Sequence, residues 1–311
     1  MSLEQQMEEK KVTENNRIQW LDAWKGFAML LVVLGHIADG YLDAGLFATH
    51  EAQLSWLYRV IYSFHMQLFF VLSGYTFYVA YAKKRKERTA GFCAQLWNLA
   101  AVYVLFSVLQ WGVKMLFADL VNSSYTLRDL LLIPIDTMDP YWYLYVLIFL
   151  YLIGWFMERG KQPEVLKLFF FLGISFLSEF VSKSIFFELK RTLYYSFFFY
   201  LGIFLAKSAA PWLAEKCSGF LSVCRKFPRT GILSYLGTYS LEIYVLHCFI
   251  TAANRVILIK LGVTGFYLNV IVNLLLATGL PVLAALILKK LKLHAWVFKP
   301  ASALTKHTSV K

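Results

Sequence analysis

Charged residues are scarce in this chain of 311 residues, where they make up 16% while 59% of the residues are hydrophobic. An ordinary soluble domain of this length carries more charge, so the composition excludes that class. Cysteine is also rare: the four cysteines show no C-x-x-C spacing, and we expect neither a disulfide framework nor a metal site. No stretch alternates polar and apolar residues, which argues against a membrane β-barrel.

Several catalytic signatures are also missing. The chain has no H-E-x-x-H, no G-x-x-x-x-G-K-[ST] and no G-x-S-x-G sequence, so zinc proteases, P-loop NTPases and α/β-hydrolases lose support. The polar stretches are too short to fold as a separate catalytic module. Any chemistry must therefore be carried out by side chains of a membrane bundle.

Long apolar stretches without formal charge are abundant, and one covers residues 261–288. Because a spanning helix needs about 20 such residues, the sequence predicts an all-α, polytopic membrane bundle of eight spans. The predicted spans are residues 22–42, 57–82, 95–117, 141–157, 167–187, 192–208, 235–258 and 265–289. We divide the chain into a polar N-terminal segment (1–16), a transmembrane domain (17–289) and a basic tail (290–311).

Positive charges predict the orientation of the bundle. Most of the 31 Lys and Arg residues fall on one side when both termini are placed in the cytoplasm, as the positive-inside rule requires. We attribute the net charge of +12 to basic cytoplasmic segments that determine the topology and attract anionic membrane lipids. We do not interpret it as a sign of nucleic-acid binding. Residues 209–230 mix basic and apolar side chains and predict a helix at the cytoplasmic interface. No removable signal peptide is expected at the N-terminus.

Lys25 and His36 are the main candidates for chemistry. Eleven positions in an α-helix return to within about 20° of the same azimuth, so both side chains lie on one face of the first span. Asp22 and Asp39 share that face. Ionisable groups near the bilayer centre cost about 2.5–3.5 kcal/mol or more, so they usually face the protein interior and serve a function. For Asp22 and Lys25 the alternative is that they only reach the lipid interface.

The second span carries the sequence FHMQLFFVLSGY. His65 lies at a depth comparable with that of His36, so we expect two imidazoles to line one cavity. Ser73 and Gly74 are small residues that serve either helix packing or the close approach of a ligand.

Two later motifs hold further candidates. DPYWYLYVL places Trp142 and Tyr143 at the outer mouth of the fourth span, where they serve either an aromatic belt at the lipid interface or stacking of a sugar. YLGTYSLEIYVLH places Glu242 and His247 in the seventh span, about 140° apart around the helix. We expect His247 to face the cavity.

In this combination and order, the motifs resemble the acyltransferase-3 family of polytopic membrane proteins, and within it the fucose 4-O-acetylase-like group. The first-span pattern of that family, a basic residue and a histidine eleven positions later, is matched by Lys25 and His36. Its F-F-x-x-S-G and S-x-x-I-Y-x-x-H patterns are matched by Phe69, Phe70, Ser73 and Gly74, and by Ser240, Ile243, Tyr244 and His247. Family members commonly have about ten spans, so a helix pair between the sixth and seventh spans is missing here.

The resemblance implies transfer of an acyl group, usually acetyl, from cytosolic acetyl-CoA to a hydroxyl of a cell-surface or lipid-linked sugar, such as an exopolysaccharide or O-antigen. It places the protein in the plasma membrane, as a bacterial inner-membrane enzyme. His36 would act as a general base or carry the acyl group covalently, and the sequence leaves both open. Lys25, Asp22 and His65 are the other expected catalytic residues.

Binding residues are expected on both sides of that histidine. Candidates for binding the donor are Lys83, Lys84, Arg85, Ser73 and Gly74, although the basic run also suits a positive-inside anchor. Candidates for binding the acceptor are Trp142, Tyr143, Asp39, His247 and Glu242. We expect acetyl-CoA as co-substrate and no metal.

Two alternatives stay open. Intramembrane His, Asp and Lys would also suit a secondary transporter of a small anion, which would give transport without a new covalent product. A relative inactivated by the loss of two helices would give neither transport nor transfer.

Overall fold

The computed structural model describes residues 19–82, 85–116, 126–181, 187–209 and 231–308, and this part of the chain is helical without any strand. The prediction of an all-α membrane bundle is confirmed. The helices are α1 (Gln19–Asp43), α2 (Glu51–Phe77), α3 (Arg85–Leu116), α4 (Leu127–Leu132), α5 (Trp142–Met157), α6 (Glu164–Leu177), α7 (Phe187–Phe204), α8 (Gly231–Thr238), α9 (Ser240–Lys260), α10 (Phe266–Lys290), α11 (His294–Phe298) and α12 (Pro300–Thr308).

Five segments of the described chain are long and apolar enough to cross a membrane. They are Gln19–Asp43, Ala48–Ala82, Arg88–Leu116, Ser240–Lys260 and Phe266–Lys290. These coincide with five of the eight predicted spans, and the other three fall on the shorter helices α5, α6 and α7. The count of eight spans and the cytoplasmic placement of both termini stay predictions.

Two span boundaries differ from the predicted ones. The predicted span 235–258 is two helices, because α8 ends at Thr238 and α9 begins at Ser240 after a turn at Tyr239. The predicted span 167–187 is helical only to Leu177, where a short 3-10 turn through Phe180 ends it. The predicted N-terminal segment and nearly all of the predicted interfacial helix at 209–230 lie outside the described residues.

The lipid-facing surface is apolar. Large hydrophobic side chains on the outside of α3, α6 and α10 are strongly exposed in the isolated chain, as Val104, Phe169 and Leu275 illustrate. In hydrocarbon such side chains need no protein partner, since a lipid tail is as apolar as leucine. The buried polar side chains are thereby confined to the bundle interior, where the candidate residues lie.

Two helix crossings depend on glycine. A Cβ added at Gly26 of α1 would overlap the backbone of Leu233 in α8, and one added at Gly237 would overlap that of Asp22. At the second crossing, between α2 and α7, a Cβ on Gly74 would overlap the carbonyl of Phe199. Small residues allow this backbone approach in membrane bundles. Gly74 thus has a packing role, and its predicted part in donor binding stays a prediction.

Hydrogen bonds join α9 to the start of α5. The Tyr141 hydroxyl donates to the Val245 carbonyl at 3.0 Å, and the Tyr244 hydroxyl donates to the Pro140 carbonyl. Both tyrosines are buried, so these bonds satisfy hydroxyls that would otherwise be costly. They hold the first half of α9, including His247, against the beginning of α5.

Gly74→Ala should destabilise the protein, because the new methyl group meets backbone at the α2–α7 crossing, and overpacking of this kind costs about 1–3 kcal/mol. Gly112→Ala in α3 is the matched control, since no atom lies within 4 Å of its added Cβ and helix propensity favours alanine by about 0.5–1 kcal/mol. Thermal unfolding in one detergent measures both. A Gly74→Ala protein as stable as wild type would contradict the tight crossing.

Candidate functional site

A cavity of about 570 Å³ opens at the end of the bundle predicted to face outward, and we call it the outer cavity. It is lined by the C-terminal parts of α1 and α3, by α2 and α9, and by residues at the beginnings of α5 and α7. Its lining includes three aspartates and two basic side chains, which makes it polar. The lining residues are Val32, His36, Asp39, Asp43, Tyr58, Tyr62, His65, Met66, Gln110, Lys114, Asp139, Pro140, Trp142, Arg191, Tyr195, Tyr244 and Cys248.

A second cavity of about 150 Å³ lies deeper toward the predicted cytoplasmic end, and we call it the inner cavity. Its walls are largely apolar, with Lys25 as the lysine of α1 that reaches it. The lining residues are Lys25, Val32, Met66, Phe69, Leu72, Ser73, Thr76, Gln95, Leu99, Tyr143, Leu144, Leu147, Tyr151, Ser240, Leu241 and Tyr244.

The two cavities are adjacent and share three lining side chains. Val32 of α1, Met66 of α2 and Tyr244 of α9 line both. Val32 lies between Lys25 and His36 on the same helix, so the first helix brings one candidate residue to each cavity. The predicted common face of Lys25 and His36 is therefore observed as a stripe that runs from the inner to the outer cavity.

His36 and His65 line the same outer cavity, as the sequence predicts. His36 Nδ1 lies 3.5 Å from the Tyr62 hydroxyl, a long contact that leaves the position of its proton open. His65 is buried, and its Nδ1 lies 2.7 Å from the Ile61 carbonyl. A carbonyl only accepts, so Nδ1 of His65 carries the proton and Nε2 carries the lone pair.

His247 is fully buried behind His36, with 5.1 Å between the ring centroids. Its Nδ1 donates to the carbonyls of Ile243 at 3.0 Å and Tyr244 at 2.7 Å, so Nε2 is the acceptor atom. Nε2 lies 3.3 Å from Cys248 Sγ. The sequence predicts that His247 faces the cavity. In the structure His247 does not line the cavity itself, but it contacts His36 and Cys248, which do.

Nitrogen atoms of His36 and His247 and the sulfur of Cys248 all lie within 4.8 Å of one another. Two imidazoles and a thiol form a set that can serve acid–base and nucleophilic chemistry. The same donor types also bind zinc or copper. The absence of a metal therefore stays a prediction.

Three of the five residues expected to bind the acceptor line a cavity. Asp39 and Trp142 line the outer cavity. Trp142 is already contacted by Arg191, whose guanidinium carbon lies 4.5 Å from the ring centroid, and by Tyr195, stacked at 5.5 Å. Tyr143 lines the inner cavity instead, where its hydroxyl lies 2.6 Å from Ser73 Oγ.

Besides Gly74 and His247, the predicted site residues Asp22 and Glu242 line neither cavity. Asp22 is buried in the first turn of α1, at the crossing with α8. Glu242 is buried on α9, and its Oε1 lies 2.7 Å from His294 Nε2 of α11. Since a local partner accounts for the burial of Glu242, its role in binding a substrate stays a prediction. So does the catalytic role of Asp22.

The basic run after α2 cannot be assigned to a contact. Lys83 and Lys84 lie outside the described residues, and of Arg85 only the backbone, as the first residue of α3, is described. Their role in binding the donor therefore stays a prediction.

Among the outer-cavity residues that sequence reasoning missed are Cys248, Tyr62 and Arg191. Cys248 directly follows His247, but nothing in the local pattern shows that α9 packs against α1 with this face. Arg191 lies near the beginning of α7 and pairs with Glu188 at 2.9 Å. The available signal was that Arg191 directly precedes an apolar stretch without formal charge, at the predicted outer end of the sixth span.

The chain matches the profile of an acyltransferase domain family, Acyl_transf_3, over residues 18–216. It is also similar to two proteins named nodulation protein NolL. The protein from Mesorhizobium japonicum is 30% identical over 132 residues, which are 42% of this chain and 33% of the relative. The protein from Sinorhizobium fredii is 31% identical over 142 residues, 45% of this chain and 36% of the relative.

The aligned part of this chain thus spans about a third of the length of these relatives. The family match covers α1 to α7 and ends before α9, so His36 and Lys25 lie within it while His247 and Cys248 lie beyond it. No solved structure matches the chain.

Proposed function

This chain belongs to the Acyl_transf_3 acyltransferase family, and we propose that it is a membrane O-acyltransferase that moves an acetyl group from cytosolic acetyl-CoA to a sugar hydroxyl. The acceptor is a cell-surface or lipid-linked sugar, such as a unit of an exopolysaccharide or O-antigen, and the membrane is a bacterial inner membrane. The observation that supports the proposal is that the inner and outer cavities share lining side chains, one of them Val32, which lies between Lys25 and His36 on α1.

The two cavities suit two substrates that differ in polarity and origin. The inner cavity is mostly apolar and has a cation, Lys25, at the end predicted to face the cytoplasm. It suits the arm of an anionic thioester donor. The outer cavity is polar and holds carboxylates, hydroxyls and aromatic rings, the groups that bind sugars. A donor carbonyl at the junction would lie next to His36.

His36 is placed to act on the acceptor. A neutral imidazole at the edge of the outer cavity takes the proton from a sugar hydroxyl as its oxygen attacks the acyl carbonyl carbon. The Tyr62 hydroxyl and the ring of His247 restrict the orientation of the imidazole. Lys25 supplies positive charge on the donor side, where it draws the phosphates of the donor toward the inner cavity.

Replacement of His36 by alanine should lower acetyl transfer by about 10²–10⁴-fold, the usual contribution of a general base. The assay measures CoA release and acetylated product from acetyl-CoA and 4-nitrophenyl α-L-fucopyranoside, with purified protein in detergent. His50→Ala is the control, because His50 stacks on Phe266 and lines neither cavity.

Transfer by His36→Ala at more than a tenth of the wild-type rate, with normal folding, would contradict the role of His36. If the wild-type protein transfers no acetyl group to any sugar tested but moves an anion across vesicles, the transporter alternative replaces this proposal.

Lys25→Ala should raise the KM for acetyl-CoA about tenfold, or ~1.4 kcal/mol of binding, with a smaller change in kcat. The reason is that we expect Lys25 to attract the donor phosphates and not to contact the acyl carbonyl group that reacts. Lys161→Ala, an exposed lysine between α5 and α6, is the control for total charge. A fall in kcat with unchanged KM would assign Lys25 to the reacting atoms instead.

A further inference from the structure

The thiol of Cys248 has the surroundings of a nucleophile. It lines the outer cavity, so a substrate in that cavity can reach it. Its Sγ lies 3.3 Å from Nε2 of the adjacent His247. Cys93, the other free cysteine of the described chain, lies exposed on α3 and lines neither cavity. Position in the bundle therefore distinguishes the two thiols.

Hydrogen bonds determine the direction of proton transfer between Cys248 and His247. Because Nδ1 of His247 donates to the carbonyls of Ile243 and Tyr244, Nε2 has the lone pair and accepts the S–H of Cys248. A thiol that donates to an imidazole held in one tautomer by further bonds is the arrangement that activates cysteine for attack on carbonyl carbon.

Cys248 also lies near Tyr244, one of the side chains that line both cavities. Tyr244 lines both cavities and precedes Cys248 by four residues on the same face of α9, about 6 Å along the helix. An imidazole nitrogen of His36 lies within 4.8 Å of the Cys248 sulfur. The Cys248 thiol, its base His247 and the proposed acceptor base His36 therefore lie close to one another.

On the basis of the proposed function, we propose that Cys248 carries the acyl group between the two substrates as a thioester. In the first step its sulfur attacks the donor carbonyl carbon, and the carbon–sulfur bond to CoA breaks. The thiol proton passes to His247 Nε2 and then to the departing CoA sulfur. No oxidant or reductant is involved, because one thioester replaces another.

In the second step the acceptor hydroxyl attacks the Cys248 thioester. His36 takes the hydroxyl proton, the carbon–sulfur bond to Cys248 breaks, and the proton returns to the Cys248 sulfur. The product is an oxygen ester of the sugar. A carrier at the junction lets CoA leave before the acceptor reacts, so one site need not hold both substrates at once.

The test is acylation of the purified full chain by radiolabelled acetyl-CoA without acceptor, stopped within seconds by acid. We expect label on the wild-type protein, release of an equal amount of CoA and removal of the label by neutral hydroxylamine, as a thioester requires. Peptide mass analysis should place the acetyl group on Cys248. Cys93→Ser should label like wild type, and His36→Ala should retain its label when 4-nitrophenyl α-L-fucopyranoside is added.

Cys248→Ser and Cys248→Ala should both lose the hydroxylamine-labile label and transfer acetyl groups to the fucoside at least about 100-fold more slowly, the scale of a lost catalytic group. Two variants are used because one of them could fail to fold. Thermal unfolding of each variant in detergent shows whether it is folded.

Three outcomes would overturn the proposal. Normal transfer by folded Cys248→Ala would overturn the carrier and leave the proposed acyltransferase intact. A wild-type protein that neither becomes labelled nor releases CoA, with or without the fucoside, would overturn both. Stoichiometric zinc that is lost in Cys248→Ser, without labile label in wild type, would make the thiol a metal ligand instead.

Discussion

The cost of placing polar side chains in hydrocarbon governs this structure. Ionisable groups on membrane helices must find partners or a polar cavity inside the bundle. Here Lys25 and His36 line the two cavities, while buried Lys167 and Glu242 pair with Glu164 and His294. The outside of the bundle is left to apolar side chains such as Phe169 and Leu275. One solvation constraint thus produces both the lipid-facing surface and the interior in which chemistry can take place.

Close helix crossings determine which of these side chains lie next to one another. Glycines at the α1–α8 and α2–α7 crossings let backbones approach closely, while Tyr141 and Tyr244 join α5 to α9. As a result, the His36 and His247 rings lie 5.1 Å apart although the residues are far apart in sequence. Tyr244, which lines both cavities, lies beside this pair with its ring 6.2 Å from that of His247, and the proposed acyl transfer takes place there.

The sequence predicts the helical class, the common face of Lys25 and His36, and the shared cavity of His36 and His65, because helical period and apolar length are local properties. It does not predict the Cys248–His247–His36 cluster, which depends on how α9 rotates against α1. The break at Tyr239 and the contact of Glu242 with His294 were missed for the same reason: both depend on tertiary packing of segments whose local pattern allows one continuous span.

A cryo-EM structure of the protein in nanodiscs with acetonyl-CoA, a ketone analogue that cannot transfer its acetyl group, tests the central claim most directly. The account predicts density for the pantetheine arm in the inner cavity past Lys25. The ketone should lie at the junction of the cavities, within reach of His36 and the Cys248 sulfur. An analogue bound elsewhere, with the junction closed to it, would contradict the claim that the two cavities deliver donor and acceptor to one point.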